Sequence, residues 1–351
     1  MTSKLKIFTF LALILTLVVA GCSPQANDAS NDEEGETDEL VVYSARKEQF
    51  VKPLVDKFEE ESGVKVKLMA ADEALVNKIL EEKNNPQADI FFSNDTGALE
   101  YLRIEDALAP NDSDKIQVID EKYRADDGSW VGLSARSRIF MYNKDLTSEK
   151  DLPQTLWDLT DSKYKGKFAI TRGGNGSMVA HVAALRAEWG DEKTKEWIEK
   201  VKENAAIITE GHGDIRQAVG AGEVEFGLVN NYYFHQQLDE PKDNNVDAVY
   251  PDQGKDDMGI FVNAAGVGLI KGGPNQANAK KFIDFLTEDE QQKIFSFESK
   301  EIPLVEGIET TSEAKPLSEY KVMDMPLKEI GPVWLDAKKL IEEAGLDLEV
   351  K

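Results

Sequence analysis

Short apolar runs alternate with helix-period segments along most of this chain, and that rhythm narrows the available folds more than any other property. Leu40-Val41-Val42-Tyr43-Ser44 reads as a strand, and Phe50, Val51, Leu54, Val55 and Phe58 then recur at helical spacing until Glu61-Ser62-Gly63 stops them. Val64 to Leu68 alternates as a second strand. A helix through Leu75, Ile79 and Leu80 follows, and Ala88-Asp89-Ile90-Phe91-Phe92 forms a third strand. Further on, Phe168 to Thr171 precedes a helix from Met178 to Trp189, and Ala206 to Ile208 precedes the helix of Ile215 and Val219. Strands alternating with helices build βαβ units, hence an α/β fold with a mainly parallel sheet. Ligands of such sheets gather beyond the strands' carboxyl ends. Here those ends lie near Ser44, near Ala70 and at Ser93-Asn94-Asp95-Thr96.

Trp130 to Asn143 is too long for one ordinary strand, and an extended segment of that length can run from one lobe into another. The 351 residues allow two lobes, each with its own core. Asn263 to Ile270 is a second candidate crossover. Bending is expected at Leu133 to Ser137 and at Ala264 to Val267.

Val224 to Val229 is an apolar strand, Asn230-Asn231 a turn, and Tyr232-Tyr233 stand where a helix through Phe234 and Leu238 begins. Two phenols thus sit at a strand-to-helix junction, where the helix N-terminus favours negative charge. A phenol keeps its proton to about pH 10. Removing it at neutral pH takes a strongly acidic metal ion, and a pair of phenolates suits a hard cation such as ferric iron. The plainer alternative is two packed rings. Arg172-Gly173-Gly174-Asn175-Gly176-Ser177 leads into another helix and is either an anion cradle or a simple turn; it matches neither phosphate-loop nor dinucleotide pattern. His181 reads as packing, His212 as a cleft-facing loop residue able to touch an anion, and His235 as pointing away from the tyrosines. The five tryptophans read as packing.

The N-terminus carries Lys4 and Lys6, then an apolar run to Ala20, and ends Val19-Ala20-Gly21-Cys22. That pattern is similar to a bacterial lipoprotein cleavage site, with 1–21 as signal and Cys22, the sole cysteine, as lipid attachment point. An acidic, apolar-poor stretch over 22–39 reads as a disordered tether. The formal charge of -25 argues against nucleic-acid partners. No Gly-x-Ser-x-Gly elbow and no zinc-spaced histidine pair point to a hydrolase.

Together, Val42-Tyr43-Ser44-Ala45-Arg46, Ala88 to Ser93, Ser134-Ala135-Arg136-Ser137-Arg138 with Tyr142-Asn143, Asn175-Gly176-Ser177 and Asn230-Asn231-Tyr232-Tyr233 are specific. From Leu40 onward the chain resembles the ferric-ion-binding substrate-binding proteins of bacterial iron ABC transporters. The resemblance implies a periplasmic-binding-protein-like fold: two α/β lobes, each a mixed, mainly parallel sheet flanked by helices, joined by two crossover strands. The expected division is 40–134 with 265–308 for lobe 1, and 135–264 with 309–351 for lobe 2. It also implies Fe³⁺ on Tyr232 and Tyr233. Many relatives have a histidine where Lys47 stands, a glutamate at Asn94 and a tyrosine within 172–177. The missing donors are therefore expected from water, from Asp95 and from a synergistic carbonate, phosphate or citrate. That anion is expected on Asn175, Gly176, Ser177 and Asn230, with Arg46, Lys47, Arg136, Arg138 and His212 around it. Implied partners are a permease and an ATPase, and the chain is expected to act as a lipid-anchored monomer. The rival cargo is an organic ion such as thiamine, a phosphonate or a polyamine.

Overall fold

The computed structural model describes residues 38–71, 74–310 and 314–346. Cys22, the export signal and nearly all of the acidic stretch lie outside them. The first half holds β1 (Glu39–Ser44), α1 (Glu48–Ser62), β2 (Lys65–Ala70), α2 (Ala74–Glu81), β3 (Ile90–Ser93) and α3 (Thr96–Ile104). Glu39, expected in the tether, already pairs with Lys65 as the first residue of β1. Gly63 ends α1 at φ 76, a left-handed conformation that glycine adopts without Cβ strain. Then come β4 (Trp130–Asn143), β5 (Phe168–Thr171), α4 (Gly176–Trp189), α5 (Asp191–Asn204), β6 (Ile207–Thr209) and α6 (His212–Gly220). The chain continues through β7 (Phe226–Asn230), α7 (Asn231–Leu238), β8 (Val246–Val249), β9 (Val262–Leu269) and α8 (Gln276–Leu286). It closes with α9 (Asp289–Phe297), β10 (Ile302–Pro303) and α10 (Gly331–Glu343).

β4 is the spine. All 14 of its residues are buried, as they must be if both faces are covered along its length. Trp130 to Ser137 pair with β9, whereas Arg138 to Tyr142 pair with β7 and Phe140 to Asn143 with β8. The change of partner falls between two adjacent residues: Ser137 faces Val262, and Arg138 faces Asn230. The strand order is β2-β1-β3-β9-β4-β7-β5-β6. β1 pairs in parallel with β2 and β3 in one half, and β5 with β6 and β7 in the other. β9 and β4 supply the antiparallel pairs. The result is the expected mixed α/β, two-lobe architecture on a shared central strand.

Three boundary details differ from expectation. The partner change lies at 137/138, three residues past the expected 134/135. The first bending zone does hold an irregularity: the ladder slips between Gly132 and Ser134, leaving Leu133 as the extra residue. The second zone, Ala264 to Val267, is instead locked opposite Ala135 to Val131 and buried, so the chain crosses earlier, between Val249 and Val262. The C-terminal part is not confined to one lobe. Met323 N–H donates to Ile260 O at 3.0 Å, the Tyr320 and Ser137 hydroxyls bond to each other, and α10 packs against both α3 and α4.

Candidate functional site

The cleft between the halves has a volume of about 520 Å³. One wall comes from the junction of β7 and α7. Asn231 is fully buried, and its Oδ1 accepts from Ser137 N–H at 2.9 Å, which pins the start of α7 to β4 where β4 changes partners. Tyr232 and Tyr233 then project into the cleft with ring centroids 4.4 Å apart, and Tyr233 packs on His212 at 5.3 Å. Beside them lies the start of α4. Asn175 Oδ1 accepts from Ser177 N–H at 3.0 Å as its cap, Gly176 opens the helix, and Asn230 Nδ2 lies 3.4 Å from Ser177 Oγ.

Arg138 lies buried behind this wall rather than lining it. One guanidinium nitrogen bonds His212 Nε2 at 2.8 Å and the other donates to Ser177 O. Burial pulls its pKa down to about 9, against the pull of Tyr232, so it stays charged at neutral pH. Burial and the Arg138 charge push the His212 pKa well below the usual imidazole value, leaving it a neutral acceptor. Burial first, and the neighbouring Tyr232 second, raise the Tyr233 pKa far above its ordinary value. The Tyr233 phenol therefore holds its proton until a strong Lewis acid displaces it.

The facing wall carries Lys47, Asn94, Asp95, Phe50 and Trp334. Lys47 is exposed at the cleft rim and has no ion-pair partner among the described residues. Asp95 is placed in the cleft, but both carboxylate oxygens are already committed. Oδ1 caps α3 by accepting from Gly97 N–H at 2.8 Å, with Asn263 Nδ2 at 3.3 Å, and Oδ2 accepts from the Trp334 indole at 2.9 Å. That geometry makes it a helix cap and weighs against the expected metal ligand. Arg46 is also displaced from its expected place: it is buried away from the cleft and grips Glu301 through two nitrogens, at 2.9 and 3.3 Å. Arg136 does line the cleft, and it shares Glu301 at 3.2 Å. Burial works to raise the Glu301 pKa, but Arg46 and Arg136 outweigh it and hold it below the ordinary carboxylate value.

His235 is buried outside the cleft lining, its Nδ1 3.4 Å from Lys300 O, and His181 stacks on Phe261. Among the described residues, no group of three or more His, Cys, Asp or Glu side chains is arranged to hold a metal ion. The donor set on offer is a phenol pair beside a capped helix start. Two residues of the site escaped the sequence reading: Glu301, buried behind the cleft between Arg46 and Arg136, and Trp334, which lines it. Their partners lie 255 and 239 residues away in the chain, and no local spacing announces them.

Two lobes on a shared strand, with a cleft at the strand ends lined by a phenol pair and a capped helix start, are the architecture of a solute-binding protein. The chain belongs to the bacterial extracellular solute-binding protein family, whose model matches residues 53–321. It is 31% identical to iron uptake protein A1 of Synechocystis, over 96% of this chain and 95% of that protein. It is 30% identical to the Fe(3+)-binding periplasmic protein of Serratia marcescens, over 88% of this chain and 90% of that one. Among solved structures, a Trichodesmium protein in complex with iron and citrate matches with a TM-score of 0.78 at 30% identity, covering 88% of this chain and 99% of the other. The apo ferric ion-binding protein A of Pasteurella haemolytica matches with a TM-score of 0.82 at 29% identity, covering 89% and 99%.

Proposed function

We propose that the protein captures ferric iron outside the cytoplasm and passes it to an ABC importer. The observation that carries this reading is the Tyr232–Tyr233 pair, with rings 4.4 Å apart, facing the cleft beside the Asn175-Gly176-Ser177 helix start. In this reading both phenols bind the cargo as phenolates. A synergistic oxyanion, carbonate, phosphate or citrate, sits against Asn175 to Ser177 with Asn230. The buried charges of Arg138 and Arg136 offset the negative charge of the anion and the phenolates. Lys47 and His212 stand where they can meet the anion's outer edge. Asp95 and Arg46, committed elsewhere, are left out of the donor set, and water fills the remaining positions.

Names of relatives support the same cargo, since those printed above are iron-binding or iron-uptake proteins. The protein's partners in this reading are a permease and an ATPase; the Val19-Ala20-Gly21-Cys22 sequence adds a lipid anchor at Cys22, and the chain acts as a monomer. We place the lobe limit at the β4 partner change, so that 38–137 with 262–310 forms lobe 1 and 138–261 forms lobe 2. Ligand bridging both walls favours the closed form, and closure is stabilised only by that preference.

Ferric nitrilotriacetate added with bicarbonate to the apo protein is expected to give a visible phenolate-to-iron absorption band. Replacing both residues, Tyr232→Phe with Tyr233→Phe, is expected to abolish it. A band that survives the double replacement overturns the assignment, and a colourless protein that instead takes up thiamine or a phosphonate overturns the cargo.

A further inference from the structure

α10 holds both walls of the cleft. At its N-terminal end Trp334 donates its indole N–H to Asp95 Oδ2 at 2.9 Å and stacks on Tyr101 of α3, with centroids 5.8 Å apart. The seat is close. A Cβ on Gly97 would lie 2.8 Å from Ile330 and 2.9 Å from Trp334, and one on Gly331 would lie 2.4 Å from Glu100. Midway along the helix Asp336 meets Arg186 of α4 at 3.3 Å, and at the other end Glu343 meets Lys195 of α5 at 3.5 Å. Just beyond the helix, Leu346 O accepts from Gly173 N–H at 3.2 Å, inside the turn that leads to Asn175 and Ser177.

We infer that α10 is a strap joining the two cleft walls, and that Trp334 is a positioning residue which holds Asp95 as the cap of α3 rather than as a donor to the cargo. The inference rests on the ferric reading above and adds to it. The helix fixes the Asp95 turn at one end and the Gly173 turn at the other, so the separation of the two walls is set partly by one rigid element. Asp95 then shapes the facing wall without touching iron, and the indole N–H decides where its carboxylate points. The buried indole N–H loses its acceptor when this contact is removed, and that loosens the strap at its tightest point.

The test compares Trp334→Phe, which keeps the ring and removes the donor, with Asp95→Asn, both titrated with ferric nitrilotriacetate plus bicarbonate. Both variants are expected to bind about tenfold more weakly. The wavelength of the phenolate-to-iron band and the ferric electron paramagnetic resonance signal are expected to match the parent in both. A shifted band or changed resonance in Asp95→Asn alone would make Asp95 a ligand and overturn the inference. So would parental affinity in Trp334→Phe. A third variant, Arg186→Ala with Lys195→Ala, loosens the middle and far end of α10 at partly buried positions outside the cleft lining. It is expected to weaken binding by a fewfold with the same spectrum, and unchanged affinity there would also count against the strap. Failure of the ferric reading itself looks different, because the parent protein would then show no band.

Discussion

Three buried carboxylates differ in role because their partners differ. Glu301 is shared by Arg46 and Arg136 and also accepts from Ser134 Oγ at 2.7 Å. Its pKa is held below the unfolded value, so its contribution to stability is full above about pH 4.3 and is lost as pH falls through the folded value. Glu301→Ala leaves two buried guanidinium groups without their counter-charge and should cost about 3–5 kcal/mol, read from the urea midpoint at pH 7. Asp252 is the opposite case. Burial, reinforced by Asp257 and Asp158, pushes its pKa up to about 7, while its Oδ2 still accepts from Leu156 N–H at 3.0 Å. A raised carboxylate pKa means that the folded state holds a proton the unfolded chain has released, so stability falls as pH rises from about 4 to about 7. Asn keeps the acceptor and tolerates the positive φ of 58 found there. Asp252→Asn should therefore match the parent near pH 4 and exceed it by roughly 4 kcal/mol at pH 8. Equal midpoints at both pH values would refute the assignment. Asp95 is the third: a carboxylate after a strand end reads as a ligand from sequence, and the structure adds Gly97 N–H and the Trp334 indole as its partners. Tyr232 and Tyr233 were legible because their position depends on local order alone, strand then turn then helix.

At the level of elements, long and regular segments were readable and short ones were not. α1 and α8 show their buried faces in the spacing of Val51, Leu54, Val55 and Phe58, and of Phe282, Ile283 and Leu286. α3 was hidden because it opens Thr96-Gly97, which reads as loop. Gly97 is needed there for the close approach of Ile330 and Trp334. β8 and β10, with 4 and 2 residues, gain their definition from pairing with β4 rather than from any period of their own. The spacing of Leu340 and Ile341 marks α10 as a helix, but its place between the lobes does not show in sequence, since Trp334 reads as ordinary packing. Gly331→Ala gains up to about 1 kcal/mol of helix propensity. It also forces a methyl against Glu100, at a cost of about 1–3 kcal/mol. Net destabilisation is expected, seen as a lower melting temperature, with α10 amides exchanging faster than those of α4. A raised melting temperature would mean that α3 and α10 separate easily.

For the whole molecule, the strand order could be anticipated in kind but not in register. The length of Trp130 to Asn143 pointed to a shared strand. Only the pairing shows that Ser137 and Arg138 belong to different ladders. Cargo that binds the folded cleft and not the unfolded chain must stabilise the fold. Ferric loading at a hundredfold excess over Kd should add about 2.7 kcal/mol, measured as a concentration-dependent rise in melting temperature that a chelator reverses. The bond from Ser137 to Asn231 also sets the leverage of the machine. The residue before the phenols is fastened to the strand at the point where the ladders change, so fulcrum and grip nearly coincide. A load held beside a fulcrum hardly travels while the far jaw swings wide. If the phenols hold the ion as proposed, whatever tilt α10 allows the opposite jaw would uncover it on the half that carries them.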